Sequence, residues 1–239
     1  IGCGDAFASG GRFNTCFYLH NQQHHVLIDC GASSLVNMKK LKMPVSEIEF
    51  IIISHLHGDH FGGIPFFLLD AQYNQKRNIP VTIVGPEGTA LKVKKLMEIL
   101  YPGIDLDTFS FNLNFIEYES NKLSKVGPLS IVPYPVLHSK GSQPHGLRIN
   151  FSDKIFAFSG DTEWTDALPE LSKDADLFIC ESNYYDNKAP NHLDYKTILK
   201  QKDKFSCKKL MLNHLGEEMI SKIDVLEIDC VEDGQVIEL

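Results

Sequence analysis

Residues Phe50-Ile51-Ile52-Ile53 are bulky, mostly β-branched and too few for a helix, so they read as a strand buried on both faces. The run passes directly into Ser54-His55-Leu56-His57-Gly58-Asp59-His60. Three imidazoles and a carboxylate thus crowd the mouth of a buried strand, where loops carry function. His55 and His57, two apart, project from one side of an extended backbone. Gly58 permits a sharp turn, after which Asp59 and His60 can face the same space. Imidazole with carboxylate is the ligand set of Zn²⁺ and related first-row metals. A histidine-rich surface loop is the plain alternative.

The remaining chain supplies strands and helices in alternation. Thr15–Leu19 and Val26–Cys30 flank His20-Asn21-Gln22-Gln23-His24-His25 and read as a hairpin, with His20, His24 and His25 solvated in its turn. Ser34–Lys42 reads as a helix stopped by Pro44, Pro80–Val84 as a strand, and Thr89–Leu100 as a helix spaced through Leu91, Leu96, Met97 and Leu100. Asn112–Phe158 reads as successive strands punctuated by Gly127-Pro128, Pro133, Pro135 and Gly141. Beyond it come a strand at Ala175–Cys180, a helix at Asp194–Lys202, a strand at Lys209–Leu212 and a helix at Glu217–Lys222, with short strands closing the tail from Val225. Mixed elements in both halves predict sheets covered by helices, an α/β sandwich. No linker or repeat divides the 239 residues, which predicts one domain over 1–239.

Hydrophobic residues make up 43% of the chain, enough for a substantial core. The 31 Asp+Glu against 23 Lys+Arg, a net charge of −8, argue against attachment to nucleic acid or membrane through bulk positive charge. A local positive site made by metal ions is compatible with that balance. Apolar stretches such as Phe50–Ile53 and Ile64–Leu69 fall far short of the ~20 residues that span a bilayer. Cys3, Cys16, Cys30, Cys180, Cys207 and Cys230 form no C-x-x-C pair and sit in apolar contexts that suit reduced thiols. With no basic segment and apolar run at the start, the expectation is a cytoplasmic protein.

The segment His55-x-His57-x-Asp59-His60 resembles the signature of the metallo-β-lactamase superfamily. Four more segments resemble that superfamily's motifs, in order: Ile28-Asp29-Cys30-Gly31, Val136-Leu137-His138, Ser159-Gly160-Asp161-Thr162 and Leu212-Asn213-His214-Leu215. Each follows an apolar, strand-like run. The resemblance implies an αβ/βα four-layer sandwich (metallo-β-lactamase fold) with a two-metal site between the sheets. Carried over residue by residue, it implies one metal on His55, His57 and His138, the other on Asp59, His60 and His214, and Asp161 as the bridge. The implied ions are two divalent metals, zinc first, with manganese, iron or nickel as alternatives. Their four positive charges outweigh two ligand carboxylates, which suits a small anionic substrate such as a phosphodiester. Two such ions about 3.5–4 Å apart stabilise both the attacking and leaving oxygens of an in-line displacement.

Within the superfamily, Gly2-Cys3-Gly4-Asp5-Ala6-Phe7 with Gly10-Gly11-Arg12-Phe13-Asn14 resembles ribonuclease Z and its small phosphodiesterase relatives. So do Ser159-Gly160-Asp161-Thr162 and Ala175-Asp176-Leu177-Phe178-Ile179-Cys180-Glu181. In that branch a histidine before a helix faces the scissile phosphate, and His192 in Asn191-His192-Leu193-Asp194 matches it. Asp59 and His192 are therefore the implied catalytic residues, His192 acting as proton donor rather than ligand. Only 22 residues separate His138 from Asp161, too few for the long arm with which ribonuclease Z grips precursor tRNA. The compact spacing resembles the cyclic phosphodiesterase of phosphonate breakdown, with nucleic acid only as a short substrate. The branch also implies a homodimer, and no membrane partner is expected.

Other residues carry open readings. Asp29 either hydrogen-bonds the histidine loop or has a structural role apart from the metals. His145, with Ser139 and Lys140, either lines the substrate pocket or sits in a solvated loop. The opening glycines either offer N–H groups to a phosphate or simply make turns. Glu181 either anchors a histidine or caps a strand. The leading function is a metal-dependent phosphodiesterase. The rivals are hydrolysis of a lactone, thioester or lactam on the same centre and a non-enzymatic, metal-bound sensing module.

Overall fold

A computed structural model describes residues 1–239. Strands β1 (Phe17–His20), β2 (His25–Ile28), β3 (Phe50–Ile52), β4 (Val81–Gly85) and β5 (Leu113–Glu117) form one sheet in that order. The β1–β2 pair is an antiparallel hairpin with His20 opposite His25, and β2 to β5 run parallel. The second sheet takes β6 (Ser124–Val126), β7 (Leu129–Pro135), β8 (His145–Phe151), β9 (Lys154–Phe158), β10 (Leu177–Glu181) and β11 (Leu210–Asn213), again in sequence order. It is antiparallel from β6 to β9 and parallel from β9 to β11.

Alternation along these strands explains why they are apolar throughout. Val26, Ile28, Ile52 and Val84 point inward and meet Ile149, Phe158, Ile179 and Met211 of the other sheet. Leu27, Ile51 and Ile83 point outward against Met38 of α1 (Ser34–Lys40), Phe67 of α3 (Ile64–Leu69), and Val93 and Met97 of α4 (Thr89–Leu100). On the far side Phe178, Cys180 and Leu212 face Leu171 of α5 (Ala167–Ser172), Ile198 of α6 (Tyr195–Gln201) and Met219 of α7 (Glu217–Ile220). The result is four layers, the αβ/βα sandwich. At about 1.5–3 kcal/mol for each fully buried large apolar side chain, these three clusters hold the strand ends rigidly.

Several expectations need correction. On α4 the buried positions are Thr89, Val93 and Met97, while Leu91 and Leu100 are exposed. The helix carries apolar residues on several sides, so spacing alone did not identify the packed face. No strand forms beyond Val225; the tail makes a single bridge, Leu212 to Cys230, after a short turn at Ile223–Val225. The short apolar stretch Ile64–Leu69 forms helix α3, with Pro65 near its amino end. The hairpin histidines are not simply solvated. His25 contacts the Tyr18 hydroxyl and pairs with Glu47 at 3.0 Å, His24 pairs with Glu49 at 3.0 Å, and only His20 is exposed. All six cysteines are free, four of them buried. No helix is long and apolar enough to cross a membrane.

Candidate metal centre

The His or Asp that each of the five motifs carries lies just past the carboxyl end of a strand. Asp29 follows β2, the His55 loop follows β3, His138 follows β7, Asp161 follows β9 and His214 follows β11. The sheets therefore deliver these groups to one edge of the sandwich, where α/β folds place ligands. His57 is the extended residue capping α2 (Gly58–Phe61), which turns Asp59 and His60 back toward His55. Gly58 itself has open space where a Cβ would stand, so the turn depends on this helix start rather than on a glycine conformation. Two other glycines are required. A Cβ on Gly31 would lie 2.0 Å from the Asp59 carbonyl oxygen, and Gly160 combines a φ of +61° with a close approach to the His145 carbonyl. Asp29 and His214 also adopt left-handed backbone, φ 58° and 59°, conformations held by surrounding structure at a cost and concentrated at functional sites.

The Asp161 carboxylate occupies the middle. Its Oδ2 lies 3.3 Å from Nε2 of both His60 and His214, 3.7 Å from His55 Nε2 and 4.0 Å from His138 Nε2. Asp59 Oδ2 is 3.1 Å from His60 Nε2 and 3.3 Å from His214 Nε2. His57 Nδ1 and His138 Nε2 approach to 2.9 Å. Donor atoms of His55, His57 and His138 lie within 4.8 Å of one another, as do those of Asp59, His60, Asp161 and His214. Two atoms bound to one tetrahedral ion at about 2.1 Å sit about 3.4 Å apart, close to these separations. Meanwhile His55 Nε2, His60 Nε2 and Asp161 Oδ1 are buried without a hydrogen-bond partner. Leaving such atoms unsatisfied costs about 1–3 kcal/mol each, and cations among them would remove that cost. The residues fit divalent metal.

The surrounding contacts aim the free nitrogens inward. Asp29, fully buried, accepts the Ser54 N–H at 2.7 Å and the Ser54 hydroxyl at 2.8 Å, and its Oδ2 lies 2.7 Å from His60 Nδ1. Ser54 Oγ in turn is 3.1 Å from His55 Nδ1. With protons on both Nδ1 atoms, His55 and His60 present Nε2 lone pairs to the centre. His138 likewise places Nδ1 2.7 Å from the Asn191 carbonyl. Tyr118 donates its hydroxyl proton at 2.8 Å to the Ile53 carbonyl, bracing the end of β3.

The electrostatics divide the imidazoles. Burial, reinforced by neighbouring imidazoles, holds His55 well below the ordinary histidine value and also lowers His57 and His138, so these rings are neutral and able to ligate. Burial acts the same way on His60 and His214, but Asp161 and Asp59 outweigh it and pull both upward, His214 to about 9. Asp59 and Asp161 stay ionised despite burial because these imidazoles face them. Metal cations would take the place of those protons.

His192 sits over the open side. Its ring is stacked 5.5 Å from His214 at 14° and lies 4.9 Å from His138. Nδ1 is 3.0 Å from Glu181 Oε1. Burial opposes protonation of His192, but its hydrogen bond and ion pair with Glu181 raise its pKa overall. Glu181 itself is wholly buried at the end of β10 and also accepts the Thr162 and Leu193 N–H groups. It thus anchors His192. The other open readings resolve as follows. Asp29 touches the histidine loop directly. His145 is not a solvated loop residue, being 7% exposed within β8, with Nδ1 2.9 Å from the Gln143 carbonyl and Nε2 2.8 Å from Ser120 Oγ. The N–H groups of Gly2, Gly4, Gly10 and Gly11 are all taken by protein oxygens; Gly2 and Gly4 sit in bridges to Cys16 and Asn14, and only Gly10 and Gly11 make a turn. Ser54, Tyr118, Asn183 and the Asn191 carbonyl also serve the site and were not singled out from sequence. Only Ser54, adjoining the motif, offered a signal.

Fold and site together define a metal-dependent hydrolase of the metallo-β-lactamase fold. The chain belongs to the anti-Pycsar protein Apyc1 family, whose model matches residues 1–237. It is 26% identical over 277 aligned positions to ribonuclease Z of Clostridium beijerinckii, covering 92% of this chain and 87% of that one. Among solved structures, it is similar to the metallo-β-lactamase fold protein YhfI of Bacillus subtilis, with a TM-score of 0.80, 20% identity and coverage of 100% and 97%. It is similar also to the short form of human tRNase Z, with a TM-score of 0.78, 22% identity and coverage of 99% and 96%. At those identities the structural likeness is one of fold.

Proposed function

We propose that this protein is a phosphodiesterase that hydrolyses small or cyclic phosphodiesters on a two-metal centre. The observation that carries the reading is the Asp161 carboxylate, set among four imidazole nitrogens at 3.3–4.0 Å, with buried donor atoms left unpartnered around it. His55, His57 and His138 would hold one ion; Asp59, His60 and His214 would hold the other; and Asp161 would bridge them. Imidazole and carboxylate donors favour zinc, with manganese, iron or nickel as alternatives. When bound, the ions supply positive charge that polarises a phosphoryl oxygen and acidifies water.

The chain's own residues do the rest. Asp29 fixes the tautomer of His60 directly and of His55 through Ser54, and the Asn191 carbonyl fixes that of His138. His192 donates its Nδ1–H to Glu181, and that ion pair favours the imidazolium form, which carries a second proton on Nε2 for the departing alkoxide. Asp59, beside His60 and His214, orients the attacking water as well as serving as a ligand.

Small substrates are favoured by what lies between His138 and Asp161. Those 22 residues are consumed by a short turn at Lys140–Ser142 and the β8–β9 hairpin, closed by Ser152-Asp153 with φ 54° and 60°. No protruding arm is left to supply the remote contacts by which an enzyme favours a large substrate. The names ribonuclease Z and tRNase Z among the relatives support phosphodiester chemistry. The test is turnover of bis(p-nitrophenyl) phosphate, a cyclic diester, precursor tRNA and a lactone panel by metal-loaded protein. Preference for the small diesters is expected. Efficient cleavage of precursor tRNA at its 3′ end overturns the size preference, lactone turnover alone overturns the phosphodiesterase reading, and no turnover at all favours a sensing module.

A further inference from the structure

Three loops beside the metal centre are tied to one another by short hydrogen bonds: Leu137–His138 after β7, Asp161–Glu163 after β9, and Asn191–Leu193 before α6. The Leu137 N–H donates to Thr162 Oγ1 at 3.1 Å, and the Glu163 N–H donates to the Leu137 carbonyl at 2.7 Å. The half-buried Glu163 side chain then accepts the Asn191 N–H on Oε1 at 2.8 Å. Asn191 in turn offers its carbonyl to His138 Nδ1 at 2.7 Å, which closes the circuit. Next along the chain, His192 has a donor atom within 4.8 Å of those of His138 and Asp161. On its other side Leu193 gives its N–H to Glu181. His192 is therefore held between two backbone anchors, one on Glu163 and one on Glu181. The φ of Asn191 is 72°, in the left-handed region that asparagine tolerates better than most residues. Such a conformation persists only where its surroundings hold it.

We propose that Glu163 is a positioning residue, which keeps His138 and His192 in register through the backbone of Asn191. Its effect on turnover rests on the phosphodiesterase reading, to which it adds a residue outside every candidate ligand group. One carboxylate thereby serves both a ligand and the proton donor. Releasing the Asn191 N–H frees the carbonyl that orients His138, and it lets the His192 ring move relative to the centre. Glu163 supplies a hydrogen-bond acceptor at that point rather than a charge, so glutamine can replace it and alanine cannot. Misplacing a catalytic group by about 1 Å costs about 10²-fold in rate. Loss of the support behind a ligating histidine costs about 10–100-fold in metal affinity.

The first measurement needs neither metal nor substrate. In hydrogen exchange of the metal-free protein, the Asn191 amide should exchange about tenfold faster in Glu163→Ala than in wild type, and Glu163→Gln should keep the wild-type rate. In chelator competition E163A should hold metal about 10–100-fold more weakly, with E163Q restoring the affinity. At saturating metal, E163A should lower kcat about 10–100-fold on a cyclic diester, whose leaving oxygen is an alkoxide, with KM unchanged. Bis(p-nitrophenyl) phosphate, whose leaving group needs little protonation, should lose much less. Asn191→Val, which keeps Glu163 but disfavours a positive φ, should reproduce the E163A pattern. An E163Q as damaging as E163A, an unchanged Asn191 amide in E163A, or equal losses on the two diesters overturns the proposal. Failure of the wild-type protein to cleave either diester overturns the phosphodiesterase reading alone, because the exchange and chelator results still decide the role of Glu163.

Discussion

At the amino end of β3 the Arg77 side chain is 3% exposed and gives its protons to the carbonyls of Val45, Ser46, Ile48, Ile79 and Pro80. At the carboxyl end His55, His60 and Asp161 are buried as deeply, yet His55 Nε2, His60 Nε2 and Asp161 Oδ1 have no hydrogen-bond partner. Both ends withdraw charge from water. The guanidinium is satisfied by fixed carbonyl dipoles, and burial lowers its pKa only to about 10, with Glu49 opposing, so it remains a cation and a clamp. The imidazoles and carboxylates instead face one another across separations that protein atoms do not fill. A saturated buried cluster reads as architecture, whereas an unsaturated one whose atoms converge reads as a site awaiting a ligand.

Four substitutions sharpen or break this contrast. His192→Ala has the largest expected effect, a fall of about 10²–10⁴ in turnover of a diester with an alkyl leaving group. Metal content should stay at the wild-type level, and a p-nitrophenyl ester, whose leaving group needs little protonation, should lose much less. Equal losses on the two esters remove the proton-donor role, and loss of metal makes His192 a ligand. Arg77→Met comes next. It strands several buried carbonyls and should cost about 2–4 kcal/mol in urea denaturation, with turnover per folded molecule unchanged. A loss of turnover without a loss of stability would show that the clamp belongs to the site. Asp29→Asn keeps the shape but weakens the hold on His60 and Ser54, and should lower metal affinity about 10–100-fold in a chelator competition. Unchanged affinity would make Asp29 purely structural.

The smallest effect concerns His145. Burial depresses its pKa, opposed by the Gln143 carbonyl, so the folded state prefers the neutral ring. As pH falls through the ordinary histidine value of about 6.5, the unfolded chain takes up the proton first and stability is lost. His145→Gln should therefore flatten the decline in urea midpoint between about pH 7.5 and pH 5.5, and an unchanged slope would contradict the assignment.

What was legible in the sequence follows the same division. The His55–His60 segment announces itself because four functional positions are local and a buried strand leads into them. Asp161 and His214 are isolated residues that gain meaning only from the order of motifs and the apolar runs before them. Arg77 gives no signal at all, because its partners lie across two turns and are backbone atoms. The same holds for Asn191, which contributes a carbonyl rather than its side chain to His138. His145 was misread because a histidine after Pro144 looks like loop, while pairing with Pro135 in the sheet makes it strand. The packed face of α4 and the strandless tail depend likewise on neighbours that local pattern does not encode.

The most direct test of the central claim is an anomalous-diffraction structure of the metal-loaded protein. Two divalent ions should appear in each chain, with His55, His57, Asp59, His60, His138, Asp161 and His214 as ligands at about 2.0–2.2 Å for zinc and Asp161 touching both ions. A metal-replete structure in which Asp161 or His214 points away from the ions, or in which the cluster holds none, would contradict it.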